Sequence, residues 1–342
     1  MRIGIDSFVS TVTDPVSGVD VSPVQRVEHL LEEVERADQV GLDTYGIGEH
    51  HRRDFMDSAP AVLLAAAAAR TSNIRLNSAV AVLSASDPVR LFQEFATLDL
   101  ISKGRIDLIV GRGSFTESFP LFGLELADYD SLFAEKLDLL LRIREQVEVT
   151  WSGQHRPPLT GQGVFPRPLQ NPLPIWVGVG GTPESVIRAA SYGLPLVLAV
   201  IGGSPAQFEP LVDLYHRALA HYERPTLPIS MHSPGHVAAT DELAREQLYP
   251  HQAAAFTRIG RERGWGPYTP AQFEAGASAE GALFVGSPET VAQKVAWAVR
   301  TLGLSRFQLK YAVGGLPHDQ RMESIRLYGT EVVPRVRELL AE

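Results

Sequence analysis

Apolar runs of strand length alternate with amphipathic segments of helix length from one end of the chain to the other, and this alternation constrains the fold more than any other feature. Strand-length runs fall at 2–7, 43–48, 74–82, 105–110, 174–179, 195–200, 227–238 and 306–313. Helical segments lie between them at 22–41, 59–71, 87–103, 129–149, 182–193, 205–223 and 287–302, with a last one at 318–341. Most strand runs are nearly continuous Val, Ile and Leu, as expected when both faces are buried. Each right-handed crossover sets the next parallel strand beside the last, so eight such repeats close into a (β/α)8 TIM barrel. A doubly wound open sheet is the alternative. It usually has fewer strands and needs a G-x-G-x-x-G turn, which the first connection, Ser7 to Asp20, lacks. The helices also carry punctuation. Ser22-Pro23, Thr182-Pro183 and Ser287-Pro288 each place a hydroxyl and a proline at a helix start, and Gly41, Gly193 and Gly303 mark the ends.

Apolar residues make up 44% of the 342 and charged residues 21%, enough for one large core with a solvated surface. The expectation is a single domain over 1–342, with excursions at 151–173 and 240–286 placed on the C-terminal face. The first is rich in Pro, Gly and Gln. The second holds an extra helix near 240–263 and then Gly264-Trp265-Gly266-Pro267-Tyr268. Because it follows a strand, it is a candidate lid or oligomer contact. No stretch approaches the ~20 apolar residues of a membrane helix. The net charge of −9 is spread without a basic block, which argues against nucleic acid. With no cysteine there can be no disulfide, thiolate nucleophile or Cys-ligated metal. The first residues read as a strand and not as a targeting peptide, so a cytoplasmic protein is expected.

Barrel active sites are built just past the C-terminal ends of the strands. Glu49-His50-His51-Arg52-Arg53 follows the second run, and an imidazole there can move a proton near neutral pH. Adjacent residues on an extended chain point in opposite directions, so one cavity-facing histidine is favoured over a metal pair and no metal is expected. Gly111-Arg112-Gly113-Ser114 follows the fourth run and offers backbone N–H groups and a guanidinium to an anion. Gly180-Gly181-Thr182-Pro183-Glu184-Ser185 follows the fifth and leads into a helix, offering hydroxyls and the positive end of its dipole. Each is also an ordinary glycine turn with an N-cap; together they suggest a phosphorylated ligand. Asp6 could orient a histidine across the barrel. His232 and His236 could line the pocket, with one of them structural. Trp176, Trp265 and Tyr268 could stack on a ring, and Lys310 could meet an anionic substrate, though a solvated rim lysine is the favoured reading.

These residues resemble the luciferase-like flavin-dependent monooxygenases, bacterial luciferase and its relatives, over nearly the whole chain. The matching stretches are Glu49-His50-His51, Ser86-Asp87-Pro88-Val89-Arg90, Leu98-Asp99 through Ser102-Lys103-Gly104-Arg105, Gly111-Arg112-Gly113, Tyr192-Gly193-Leu194-Pro195 and Val285-Gly286-Ser287-Pro288-Glu289. The resemblance implies a barrel that binds FMN, usually reduced, and passes electrons to oxygen to oxidise a small organic substrate. It also implies that His50, with Glu49, is the acid/base beside the flavin. Arg112 and the Ser114 backbone, with Gly180, Gly181, Thr182 and Ser185, would hold the flavin phosphate. Ala79-Val80 would be a non-prolyl cis peptide under the ring. Gly111 stands where luciferase has a reactive cysteine and Ser118 where it has an acidic residue, which argues against light emission. A separate flavin reductase is an expected partner, since no Rossmann fingerprint is present. The family implies a homodimer or larger assembly. The alternatives are a deazaflavin coenzyme with hydride transfer, a flavin-binding protein without catalysis, and a metal-dependent hydrolase on the same fold.

Overall fold

In a computed structural model describing residues 1–341, the eight runs form eight parallel strands. These are β1 (Arg2–Ser7), β2 (Thr44–Ile47), β3 (Arg75–Ser78), β4 (Ile106–Gly111), β5 (Ile175–Val179), β6 (Leu196–Ala199), β7 (Ile229–Val237) and β8 (Arg306–Lys310). Each pairs with the next. The ring closes where β8 pairs with β1, with Arg306 beside Arg2 and Lys310 beside Asp6. The helices around it are α1 (Pro23–Gln39), α2 (Pro60–Arg70), α3 (Pro88–Ser102), α4 (Tyr129–Glu145), α5 (Pro183–Ser191), α6 (Glu209–His221), α7 (Pro288–Leu302) and α8 (His318–Leu327). The chain continues from α8 through a wide turn at Tyr328–Val332 into Val333–Ala341. This is the TIM barrel that the alternation predicts.

Three departures from the sequence expectation have local causes. The run 74–82 is not one strand: β3 ends at Ser78, the Ala79–Val80 peptide is cis, and Ala81–Val82 pairs with β4. The 151–173 excursion belongs to an antiparallel hairpin, Glu148–Trp151 with Leu159–Gly163. It runs along α3 and α4 and reaches their N-terminal ends, at the C-terminal face, where Arg156 pairs with Asp87 at 2.7 Å and His155 meets Ser131. The 240–286 excursion holds the expected helix (Asp241–Glu262), a second helix (Pro270–Ala277) and a short strand (Phe284–Gly286) on the end of β7.

Side chains alternate across each strand, so every second residue enters the barrel. Along β4 these are Asp107, Ile109 and Gly111. Asp107 accepts hydrogen bonds from Arg306 at 2.9 Å and Arg75 at 2.6 Å, and the Arg306 guanidinium lies 4.0 Å above the Trp176 ring. Above this layer Ile109, Trp176 and Val197 pack together with Val80 against them. The interior is thus filled below, and the open space lies at the C-terminal ends of the strands. Asp107→Asn would leave Arg306 buried without its counter-charge, and we expect a loss of about 3–5 kcal/mol in urea unfolding. A loss below about 1 kcal/mol, the range of an exposed pair, would show that the layer does not depend on this charge.

Candidate active site

Glu49, His50, Ala79, Val80, Arg112, Ser114, Gly180 and Thr182 line one cavity of about 290 Å³ at the C-terminal end of the barrel. Gly181 and Ser185, also expected there, lie beside it at the start of α5 without lining it. The cavity has an apolar wall of Val80, Ile109, Val179 and Val197, and a second wall with Phe8, Phe115, His50 and His232.

His50 sits in the loop after β2 with its ring against Phe8 and Phe55. Its Nδ1 donates to Asp57 Oδ2 at 2.9 Å. Since a carboxylate accepts, Nδ1 carries the proton and Nε2 is left for the cavity. Asp57 is fully buried, and that burial pushes its carboxyl above the usual range, partly offset by the bond from His50. Nothing in the sequence marks Asp57, an acidic residue in a polar loop, as part of the site. Glu49 also lines the cavity. One of its oxygens accepts from His51 Nε2 at 2.9 Å and the other from the Val82 amide at 2.8 Å, so both are engaged in holding the walls together.

At the opposite end, Arg112 donates to the Thr182 hydroxyl at 3.2 Å and pairs with Asp130 at 2.5 Å, its guanidinium 5.0 Å from the Tyr129 ring. Ser22 and Ser287 cap their helices with their hydroxyls, but Thr182, which opens α5 with the same sequence pattern, does not. One turn further in, the Ser185 hydroxyl is buried with no partner. A Cβ added at Gly180 would meet nothing within 4 Å. The positive end of the helix dipole, an orphaned hydroxyl, a cation and open space together fit a phosphate. The Asp130 carboxylate shares Arg112 with that space. Between the two ends, Val80 lies over strands β4 and β5, and a Cβ at Gly111 or Gly178 would come within 2.5 or 2.8 Å of its methyl groups. Glycine at 111 is therefore required by Val80, whatever chemistry a cysteine there would bring.

The profile of the luciferase-like monooxygenases matches residues 3–306. The chain belongs to the luciferase-like monooxygenase family. The chain spans about half the length of the first curated relatives it matches. One is the N-acetyl-S-alkylcysteine monooxygenase of Bacillus subtilis, 30% identical over 194 residues, 56% of each chain. Among solved structures, the monooxygenase RslO1 of Streptomyces bottropensis is 26% identical with a TM-score of 0.84, covering 98% of this chain and 99% of its own. Two more distant structures share the fold. The oxygenating constituent of the Pseudomonas putida 3,6-diketocamphane monooxygenase, in complex with FMN, is 19% identical at a TM-score of 0.79, covering 98% and 99%. An F420-dependent secondary alcohol dehydrogenase is 19% identical at 0.73, covering 98% and 100%. Among the described residues no helix is long and apolar enough to cross a membrane.

On this luciferase-like barrel the remaining candidates separate. His232 lines the cavity and its Nδ1 donates to Asp6 Oδ2 at 2.8 Å, the cross-barrel pairing expected of Asp6. Lys310 is not a solvated rim lysine: it is half-buried, 3.6 Å over the Phe8 ring, and burial brings its ammonium down to about 8. Trp176 lies below the cavity, and Trp265 and Tyr268 belong to the insertion. His236 is structural, fully buried with Nε2 at 2.7 Å from Gln247. Burial lowers its pKa from 6.5 to about 4. Between those values the unfolded chain binds a proton that the fold refuses, so stability should fall as pH drops through this window, by up to about 1.4 kcal/mol per unit. Urea unfolding at several pH values should show that slope reduced in His236→Gln; an equal slope in both proteins would assign the acid sensitivity elsewhere.

Proposed function

We propose that this enzyme is a monooxygenase that uses reduced FMN and molecular oxygen to oxidise a small organic substrate. The observation that carries the reading is one cavity with a phosphate-fitting cradle at one end and a carboxylate-oriented histidine at the other, joined by an apolar wall. Arg112, Thr182 and Ser185, with the Ser114 and Gly180 backbone and the Gly181 turn beside them, would hold the phosphate, and Ala79–Val80 with Ile109 and Val197 would face the ring. When bound, FMN supplies the electron transfer and oxygen chemistry. The chain's part is orientation, exclusion of water and one placed proton. The apolar wall keeps solvent from the reacting edge. Asp57 fixes the tautomer of His50, so that Nε2 can give or accept a proton at a fixed place. Glu49 acts by position: it ties His51 and the Val82 amide, and so the loop carrying His50 to the segment carrying Val80.

A deazaflavin coenzyme with hydride transfer is the second reading, because the same cradle would accept its phosphate and an F420-dependent enzyme shares the fold. Anaerobic titration with oxidised FMN, reduced FMN and F420, followed by air, separates the two. Tighter binding of reduced FMN and rapid oxidation on aeration is the expected result; binding of F420 alone would overturn it. Arg112→Ala should weaken reduced FMN about tenfold to a hundredfold, the worth of a charge-assisted hydrogen bond. His50→Ala should slow the oxidation of bound reduced FMN and alter its pH profile, with Asp57→Asn changing the profile in the same direction. An unchanged rate and profile in His50→Ala would leave a flavin-binding protein in which this histidine does no chemistry.

A further inference from the structure

Three carboxylate–histidine pairs stand at this cavity, and the flavin reading uses His50 with Asp57 for its proton and Glu49 with His51 for position. The third is His232 with Asp6. His232 lies on β7 in register with Gln308 of β8 and Ala199 of β6, all three on the cavity wall. Its Nδ1 is tied to Asp6, a fully buried carboxylate of β1 whose other oxygen has no partner. Among the described residues His232 is the one side chain hydrogen-bonded to Asp6, so the carboxylate holds that ring and can balance a positive charge on it. The charged and titratable groups around the pair are Lys310 of β8, which interacts with both Asp6 and Asp57, the buried Tyr328 beside Asp6, and His50 with Asp57 from the loop after β2; β6 contributes only apolar Ala199.

The same end of the cavity is aromatic. Phe8 and Phe115 line it as half-exposed rings, and each has cations on its face: Lys310 at 3.6 Å on Phe8, and Arg52 at 4.6 Å and Arg263 at 5.5 Å on Phe115. Flat rings suit a planar aromatic guest, and an oriented imidazole beside them suits a guest with an acidic O–H.

We propose that the substrate is a hydroxyarene and that His232, positioned by Asp6, is the base that takes its phenolic proton. The O–H bond breaks with its electron pair left on oxygen, and the proton joins His232 Nε2, giving an imidazolium paired with the Asp6 carboxylate. The phenolate so formed is the more readily oxidised form of the ring. The proposal rests on the flavin reading only in taking this cavity as the reaction site.

4-Nitrophenol is a direct probe, because its phenolate absorbs in the visible and its phenol does not. The full chain is titrated anaerobically with the probe below the pH at which free 4-nitrophenol ionises, both without cofactor and with saturating reduced FMN, which absorbs weakly there. The expected result is a phenolate band on binding, lost in His232→Asn and in Asp6→Asn, while 4-nitroanisole, which has no proton to give, shows no spectral change with any of the three proteins. No band with the unmodified chain overturns the proposal, however the variants fold. A band of full strength in His232→Asn overturns the role of that residue. Reduced-FMN affinity, read on the same samples, judges the flavin reading separately: a phenolate band without FMN binding would keep the base and remove the cofactor.

Discussion

Closing eight parallel strands into a ring removes every free edge, but it leaves an interior that only inward-facing side chains can fill. Here the filling is uneven. Arg75, Asp107, Arg306 and Trp176 occupy the lower interior, with the two guanidiniums meeting on one carboxylate. Toward the C-terminal ends the inward positions shrink to Gly111 on β4 and Gly178 on β5, leaving room that Val80 enters from above. The site exists because a charged plug below permits small residues above. A large side chain at either glycine would displace Val80 and close the slot it borders.

The upper layer solves a different problem, since carboxylates placed beside an apolar cavity are costly unless each has a partner. Asp57 is assigned to His50, Asp6 to His232, and Glu49 to His51 and a backbone amide. Each assignment fixes a ring that would otherwise rotate. The outer face of the same strand end is held by another buried carboxylate. Glu33 of α1 pairs with Arg26 and Arg321 and accepts from the Tyr311 hydroxyl, which also meets Tyr45. Lys310 is the residue before Tyr311. Its approach to Phe8 inside the barrel is therefore anchored from the helix layer outside it.

The barrel was legible because its signal is repeated eight times, so an error in any one element does not change the count. Strand ends were less legible. The run 74–82 carries Arg75, Asn77 and Ser78 among its apolar residues, and nothing in Ile74 to Val82 announces a cis peptide except its resemblance to relatives. The helix at Pro270–Ala277 did carry a signal, Thr269 with Gln272 three residues on as a capping box, but the glycines and prolines before it read as loop. Within the site, His50, Arg112 and Thr182 were found because they sit immediately after strands, where the fold rule directs attention. Asp57, Phe8 and Phe115 are brought in by loop conformation, for which a single sequence carries no periodicity. The failure of Thr182 to cap is informative in the same way: sequence predicts the cap, and the structure turns its hydroxyl to Arg112 instead.

The loop that carries His50 also carries the contacts that hold the insertion over the cavity rim. Arg52 pairs with Glu262 at the end of the Asp241–Glu262 helix and with Glu117 after β4, and Asp54 pairs with Arg258 of that helix. Arg263 donates to the Ser114 carbonyl and lies over Phe115. Glu262 and Glu117 are 46% and 39% exposed, so these pairs are partly screened and weaken with salt. The Asp57–His50 bond in the same loop is buried and unscreened. Contacts of such different strength on one short segment let the insertion part from the rim without moving the imidazole. The orientation of the His50 ring thus rests on a contact separate from those that hold the insertion.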